Sequence, residues 1–171
     1  MRTSTHPRTA PFTARPVDPR TLAELRAADD AGRPARPVRD EEGGAPLRCC
    51  LRRSRPGELI ALVSYAPLRR WATATGADPG AYDEQGPVFI HAEGCEGPAD
   101  DGLAFTGSHR VLRRYSADGR ILGGRLVEPA GEATNASFSA ALKEAFDLPD
   151  VALVQVRAVE YGCFLYEVRR P

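Results

Sequence analysis

Residues 109–127 read HRVLRRYSADGRILGGRLV. Two strand-forming runs, His109 to Tyr115 and Arg120 to Val127, flank Ser116-Ala117-Asp118-Gly119. Asp-Gly between such runs is a hairpin signal, because glycine supplies the positive φ that a tight turn needs. A hairpin makes the pairing antiparallel. The C-terminal end repeats the arrangement: Val151 to Val159 and Cys163 to Arg169 turn back at Glu160-Tyr161-Gly162. Upstream, Glu58-Leu59-Ile60-Ala61-Leu62-Val63-Ser64-Tyr65 is an apolar run that predicts a central strand. Pro87-Val88-Phe89-Ile90-His91 predicts the next one, and Leu47–Leu51 a short, Cys-rich strand.

Two helices complete the pattern. Asp18 is placed to cap a helix with Pro19 at its first position. Leu22, Leu25 and Ala28 follow at helical spacing, and Gly32 is the expected stop. Thr134 or Asn135 is the expected cap of the second helix, with Phe138, Ala141, Leu142, Ala145 and Phe146 on its apolar face and Pro149 beyond its end. Residues 1–10 read as a flexible tail, Phe12 to Val17 as a short extended segment, and 33–46, 66–85 and 92–107 as long loops. The predicted fold class is α+β: a single domain over 11–171, dominated by a mostly antiparallel sheet of about seven strands with two helices.

Composition bounds the function. The 171 residues carry 23 basic and 23 acidic side chains, which argues against a chain-wide basic nucleic-acid binder. No apolar run reaches the roughly 20 residues that span a bilayer, so no membrane association is expected. The first twenty residues contain no apolar stretch of the signal-peptide kind, and four Cys without an export signal read as cytoplasmic thiols. The basic residues are 22 Arg and one Lys, a usage typical of a GC-rich bacterial genome, so arginine number alone says little about anion binding. Residues 1–70 are net basic and 71–171 net acidic, two halves that can complement each other within one fold or between subunits.

Three sets of residues carry candidate chemistry. His91 ends a strand beside a Gly-bearing loop, with Cys95 four residues on; imidazole is a general base near neutral pH, and an adjacent imidazolium favours the thiolate. The plain alternative is a hydrogen-bonded structural histidine and a buried cysteine. Metal is the second candidate. Cys50, His91, Cys95 and Cys163 form a set on paper, but there is no C-x-x-C pair, and adjacent Cys49 and Cys50 on a strand point to opposite faces. The expectation is therefore no metal and no cofactor; no nucleotide-binding glycine motif is present either. Arginine is the third. Arg48 precedes the Cys pair, Arg114 precedes Tyr115, and Arg157 shares a strand face with Gln155. A charge on an inner face is paired or meets an anion, and guanidinium suits a carboxylate.

Several blocks together resemble a known bacterial family. They are Pro46-Leu47-Arg48-Cys49-Cys50-Leu51, Pro56-Gly57-Glu58, Leu62-Val63-Ser64-Tyr65, Tyr82, Gly86-Pro87-Val88-Phe89-Ile90-His91, Cys95, Arg114-Tyr115 and Gly162-Cys163-Phe164. In order and spacing they resemble the domain-of-unknown-function family 1203, from about Phe12 to the C-terminus. The resemblance implies a fold and motif positions, not a reaction. Two positions depart from the family pattern: Leu47 stands where members often carry Cys, and Gln155 and Arg157 where many carry a His-x-His pair.

The expected function is a small-molecule-acting protein of bacterial metabolism, either a non-redox enzyme or a ligand-binding protein. Its pocket places His91, Cys95 and Tyr115 as catalytic groups and Arg48, Arg114 and Arg157 as anchors for an anionic, carboxylate-bearing substrate, with Cys50 nearby. The alternatives are a protein-interaction module presenting Trp71 and Phe105 from its long loops, and a thiol sensor built on Cys95 or the Cys49–Cys50 pair.

Overall fold

The computed structural model describes residues 11–131 and 134–171, with nothing of the Thr134 side chain. The predicted tail, residues 1–10, lies outside the described residues. The elements in chain order are α1 (Pro19–Ala27), β1 (Val38–Asp40), β2 (Glu58–Tyr65), α2 (Pro67–Thr75), β3 (Gly86–His91), β4 (Arg110–Ser116), β5 (Ile121–Val127), α3 (Thr134–Asp147), β6 (Val151–Ala158) and β7 (Phe164–Arg169), with one 3-10 turn at Gly80–Tyr82.

The class is α+β and all named strand pairs are antiparallel. The seven strands form two sheets, not one: β1-β2-β3 and β5-β4-β6-β7. The predicted hairpin forms, closed by Gly119 N–H to Ser116 O (2.9 Å) and Ser116 N–H to Arg120 O (2.9 Å), with Gly119 at φ 85°. β2 is central in its sheet, flanked by β1 and β3.

Three expectations change. Residues 33–46 are not all loop, because Val38–Asp40 pairs with Glu58–Ile60 as an edge strand. Leu47–Leu51 is not a strand but a turn, closed by Leu51 N–H to Leu47 O (3.0 Å), with Leu51 in the left-handed region at φ 55°. The loop 66–85 contains α2, a third helix, which starts on Pro67 and stops at Gly76, φ 79°. Smaller shifts concern caps. Asp18 does cap α1, accepting Thr21 N–H at 3.0 Å, but the helix stops at Ala27, ahead of Gly32. Thr134 and Asn135 both lie inside α3; position 133, where a cap would sit, is outside the described residues.

The sheets build separate cores. One face of the four-stranded sheet, with Leu112, Val154 and Val156, packs on Phe138, Leu142 and Phe146 of α3 and on Phe12. Its other face meets α2, where Trp71 and Leu68 cover Tyr115 and Leu153. The three-stranded sheet packs Ile60, Val63 and Ile90 on Leu22 and Leu25 of α1, on the 47–50 turn, and on Phe164 of β7. Phe164 thereby ties the two sheets together, its ring edge-on to Tyr65 at 5.5 Å. Between the basic and acidic halves, Arg15–Glu167 and Arg69–Asp83 are ion pairs of the complementary sense, but most pairs form within a half. No described helix is long and apolar enough to cross a membrane.

Candidate functional site

The 47–50 turn decides the site. Leu47 bridges Phe89 of β3 in parallel, and Arg48 N–H donates to Phe89 O at 2.9 Å. The turn therefore lies against the strand that ends in His91. Because residues 48–50 form a turn, closed by Leu51 N–H to Leu47 O, Cys49 and Cys50 are not splayed as they would be on a strand. Their sulfurs lie 4.0 Å apart, and both face His91 Nδ1, at 3.3 Å from Cys49 and 3.8 Å from Cys50. Cys95 comes in from the loop after β3. The ligating atoms of Cys49, Cys50, His91 and Cys95 all lie within 4.8 Å of one another.

The other imidazole nitrogen is also engaged. His91 Nε2 is 3.5 Å from Glu58 Oε1 and 3.4 Å from Arg52 Nη2. Arg52 grips Glu58 with two hydrogen bonds, 2.9 and 2.6 Å. That guanidinium holds the Glu58 carboxyl well below the usual carboxylate range and is itself raised. Between the paired thiols, the shared hydrogen bond favours one thiolate: Cys50 is lowered, helped by Arg52 N–H, His91 and Arg52, while Cys49, at the buried back of the cluster, is raised.

The cluster forms the floor of a cleft of about 920 Å³. Cys50, His91 and Cys95 line it, together with Arg52, Arg55 and Glu58 from the 52–58 segment and Glu93, Glu96 and Asp100 from the loop after β3. That loop is held by α1, since Arg26 donates to His91 O at 3.1 Å and to Glu93 O at 2.6 Å.

Of the sequence-predicted site residues, His91 and Cys95 meet as expected, with Cys50. Four others do not join them. Arg48 is buried beneath the turn, where it donates to the carbonyls of Phe164 (2.7 Å) and Pro46; burial pushes its guanidinium down to about 10. Tyr115 is buried under α2, its hydroxyl donating to Gln155 Oε1 at 3.2 Å. Arg157 bonds Gln155 Oε1 (2.9 Å) and pairs with Glu84 (3.1 Å), which also holds Arg113 (2.5 Å). Glu84 precedes β3, so this network sits at the end of the strand opposite His91, about 16 Å away at the usual strand rise. Arg114 lies on the opposite face of its strand, against Gly123 of β5, where a side chain at that glycine would collide with its guanidinium. Cys163 belongs to a separate small cavity with Arg157 and takes no part in the cluster. Sequence reasoning missed Cys49, Arg52 and Glu58 as members. Arg52 and Glu58 are six residues apart around Arg55-Pro56-Gly57, a turn that returns one toward the other.

The fold and site define an α+β protein of two antiparallel sheets, with a thiol–imidazole cluster set in the cleft beside the smaller sheet. Residues 44–170 match the model of the family described as "Protein of unknown function (DUF1203)", and the chain belongs to that family. The match begins after α1 and β1, later than the resemblance read from about Phe12. No curated protein and no solved structure gives a significant match.

Proposed function

We propose that this protein is a cytoplasmic enzyme of small-molecule metabolism that works in the cleft above Cys50, His91 and Cys95. The observation that carries the reading is the convergence of these side chains, from the 47–51 turn and from the end of β3 with the loop after it, on one cleft large enough for a small metabolite. The chemistry on offer is attack by a cysteine sulfur on a carbonyl carbon of the substrate: the S–C bond forms as the C=O π bond opens onto its oxygen, and the thiol proton passes to His91 Nδ1. Glu58 orients the ring from the far side, as the third group of such a relay does. Free thiols suit the reducing cytoplasm.

The anion anchors are not those read from the sequence. Arg55 takes the place of Arg48, Arg114 and Arg157, because it lines the cleft and they do not. Arg52 is committed to Glu58. With acidic side chains on the facing loop, the substrate that fits carries a carboxylate at the Arg55 end and a polar or cationic group at the other. The interaction-module reading loses its main anchor, since Trp71 is buried in the α2 core.

The test is a binding screen of carboxylate-bearing metabolites by ligand-observed NMR against the full chain, repeated on Arg55→Ala. A ligand present at 100 times its Kd would add about 2.7 kcal/mol to stability, readable as a thermal shift. Binding abolished in Arg55→Ala supports the reading. Ligands that bind the variant equally well, or crosslink elsewhere, overturn it.

A further inference from the structure

We infer that Cys49, Cys50, His91 and Cys95 together hold one soft divalent cation of the zinc type, with three thiolates and the His91 Nδ1 as its four ligands. The inference rests on the cleft's being the functional site, and it says what cation stands at its floor.

Four geometric observations support it. The first is spacing. Around a tetrahedral zinc with bonds of about 2.3 Å to sulfur and 2.0 Å to nitrogen, sulfurs sit roughly 3.8 Å apart and sulfur and nitrogen roughly 3.6 Å apart. The Cys49–Cys50 separation is 4.0 Å, and Nδ1 is 3.3 and 3.8 Å from the two sulfurs. The remaining separations, to Cys95, are within 4.8 Å, about 1 Å beyond the tetrahedral spacing at most. The second is the donor set: three sulfurs and one imidazole is an established structural-zinc combination, and its softness selects against magnesium and calcium.

The third observation concerns the sulfurs. Two of them accept a backbone N–H: Cys49 from His91 (3.2 Å) and Cys95 from Gly97 (3.4 Å). The second runs from residue i+2 back to the cysteine, and hydrogen bonds of this kind disperse the charge of a metal-bound thiolate. The fourth lies behind the histidine. With Nδ1 turned to the sulfurs, Nε2 faces the Glu58 carboxylate at 3.5 Å, the carboxylate–histidine arrangement that fixes the tautomer of a ligating imidazole. Arg52, gripping the same carboxylate, offsets its charge, so that Glu58 adds nothing to the single net negative charge of three thiolates on a dication.

With the cation bound, His91 Nδ1 is a ligand and takes no proton, so in the function proposed above the cation replaces that proton transfer and keeps Cys50 and Cys95, which line the cleft, as thiolates. Loading releases the thiol protons to solvent.

The experiment uses the full chain purified without chelators. Elemental analysis should give one zinc per chain, and Cys163→Ser, outside the cluster, should keep it. Cys95→Ser should lower zinc affinity by at least about 100-fold, and Glu58→Gln by about 10-fold, the usual range for a partner behind a ligand. Should Cys95→Ser fail to fold, cobalt substitution of the wild type decides. A tetrahedral visible spectrum with strong sulfur-to-cobalt charge transfer supports the site. Folded protein that takes up no zinc or cobalt in competition with a weak chelator overturns it, as does metal that depends on Cys163 instead of Cys95. The two proposals fail separately. Metabolite binding at Arg55 without metal refutes only the cation; a loaded cluster beneath a cleft that binds no metabolite refutes only the enzyme.

Discussion

Replacing Arg48 with Met tests whether the turn beneath the cleft is clamped from below. The guanidinium is 3% exposed and meets two backbone carbonyls, of Phe164 at 2.7 Å and of Pro46. Hydrogen bonds from a charged donor contribute about 1.5–3 kcal/mol each. Burial opposes the charge, as its lowered pKa records, and Met fills much of the same volume. The net loss for Arg48→Met is therefore about 2–4 kcal/mol, allowing for the two orphaned carbonyls. With a urea slope near 2 kcal/mol/M, the unfolding midpoint should fall by roughly 1–2 M. Equilibrium urea unfolding by fluorescence, at fixed metal content, measures this. An unchanged midpoint together with weakened binding of carboxylate ligands would refute the clamp and restore Arg48 as a substrate anchor.

Trp71→Ala removes the largest side chain of the α2 core and should cost about 3–5 kcal/mol in chemical denaturation; a change confined to partner binding would contradict its burial. Tyr115→Phe deletes the buried hydroxyl that donates to Gln155 and also meets Arg113, so thermal unfolding should register a loss of about 1–2 kcal/mol while ligand binding in the cleft stays at wild-type strength. Burial raises the Asp29 carboxyl, but the N–H groups of Ser64, Arg33 and Ala31 outweigh it and hold it below its ordinary value. Asp29→Ala should cost about 1–2 kcal/mol at neutral pH, as loss of a capping carboxylate does. A carboxylate depressed in the folded state stabilises above its unfolded pKa. The wild-type advantage should therefore fade as pH falls below the ordinary carboxylate range, and a pH-independent difference in unfolding midpoint would contradict this.

What was legible in the chain was local. The 109–127 and 151–169 hairpins and the apolar face of α3 rest on alternation, helical period and turn residues within a few positions, and all three form. α2 was legible too, through Pro67 at its start and Gly76 at its stop, but two prolines and two glycines in 66–85 outweighed them in a loop reading. How the two sheets meet depends on Phe164 packing across from β7, a contact that no local pattern announces. At the site, His91 and Cys95 were visible because they are close in sequence. Cys49 was not, because pairing it with Cys50 depends on 47–51 being a turn, where the sequence suggested a strand that sends adjacent side chains to opposite faces. The arginines misled for a different reason: Arg48, Arg114 and Arg157 carry the right group for an anion, and only the tertiary structure shows it spent on carbonyls, a strand face and Glu84.

The grip of Arg26 on both ends of the His91–Glu93 segment has a practical consequence for dissecting this protein. The family match starts at residue 44, and a gene truncated there would look complete by sequence comparison. Such a fragment would lack Leu22 and Leu25 from one core, Phe12 from the other, and the arginine that steadies the wall of the cleft. The natural experimental boundary lies ahead of Phe12, more than thirty residues before the similarity begins.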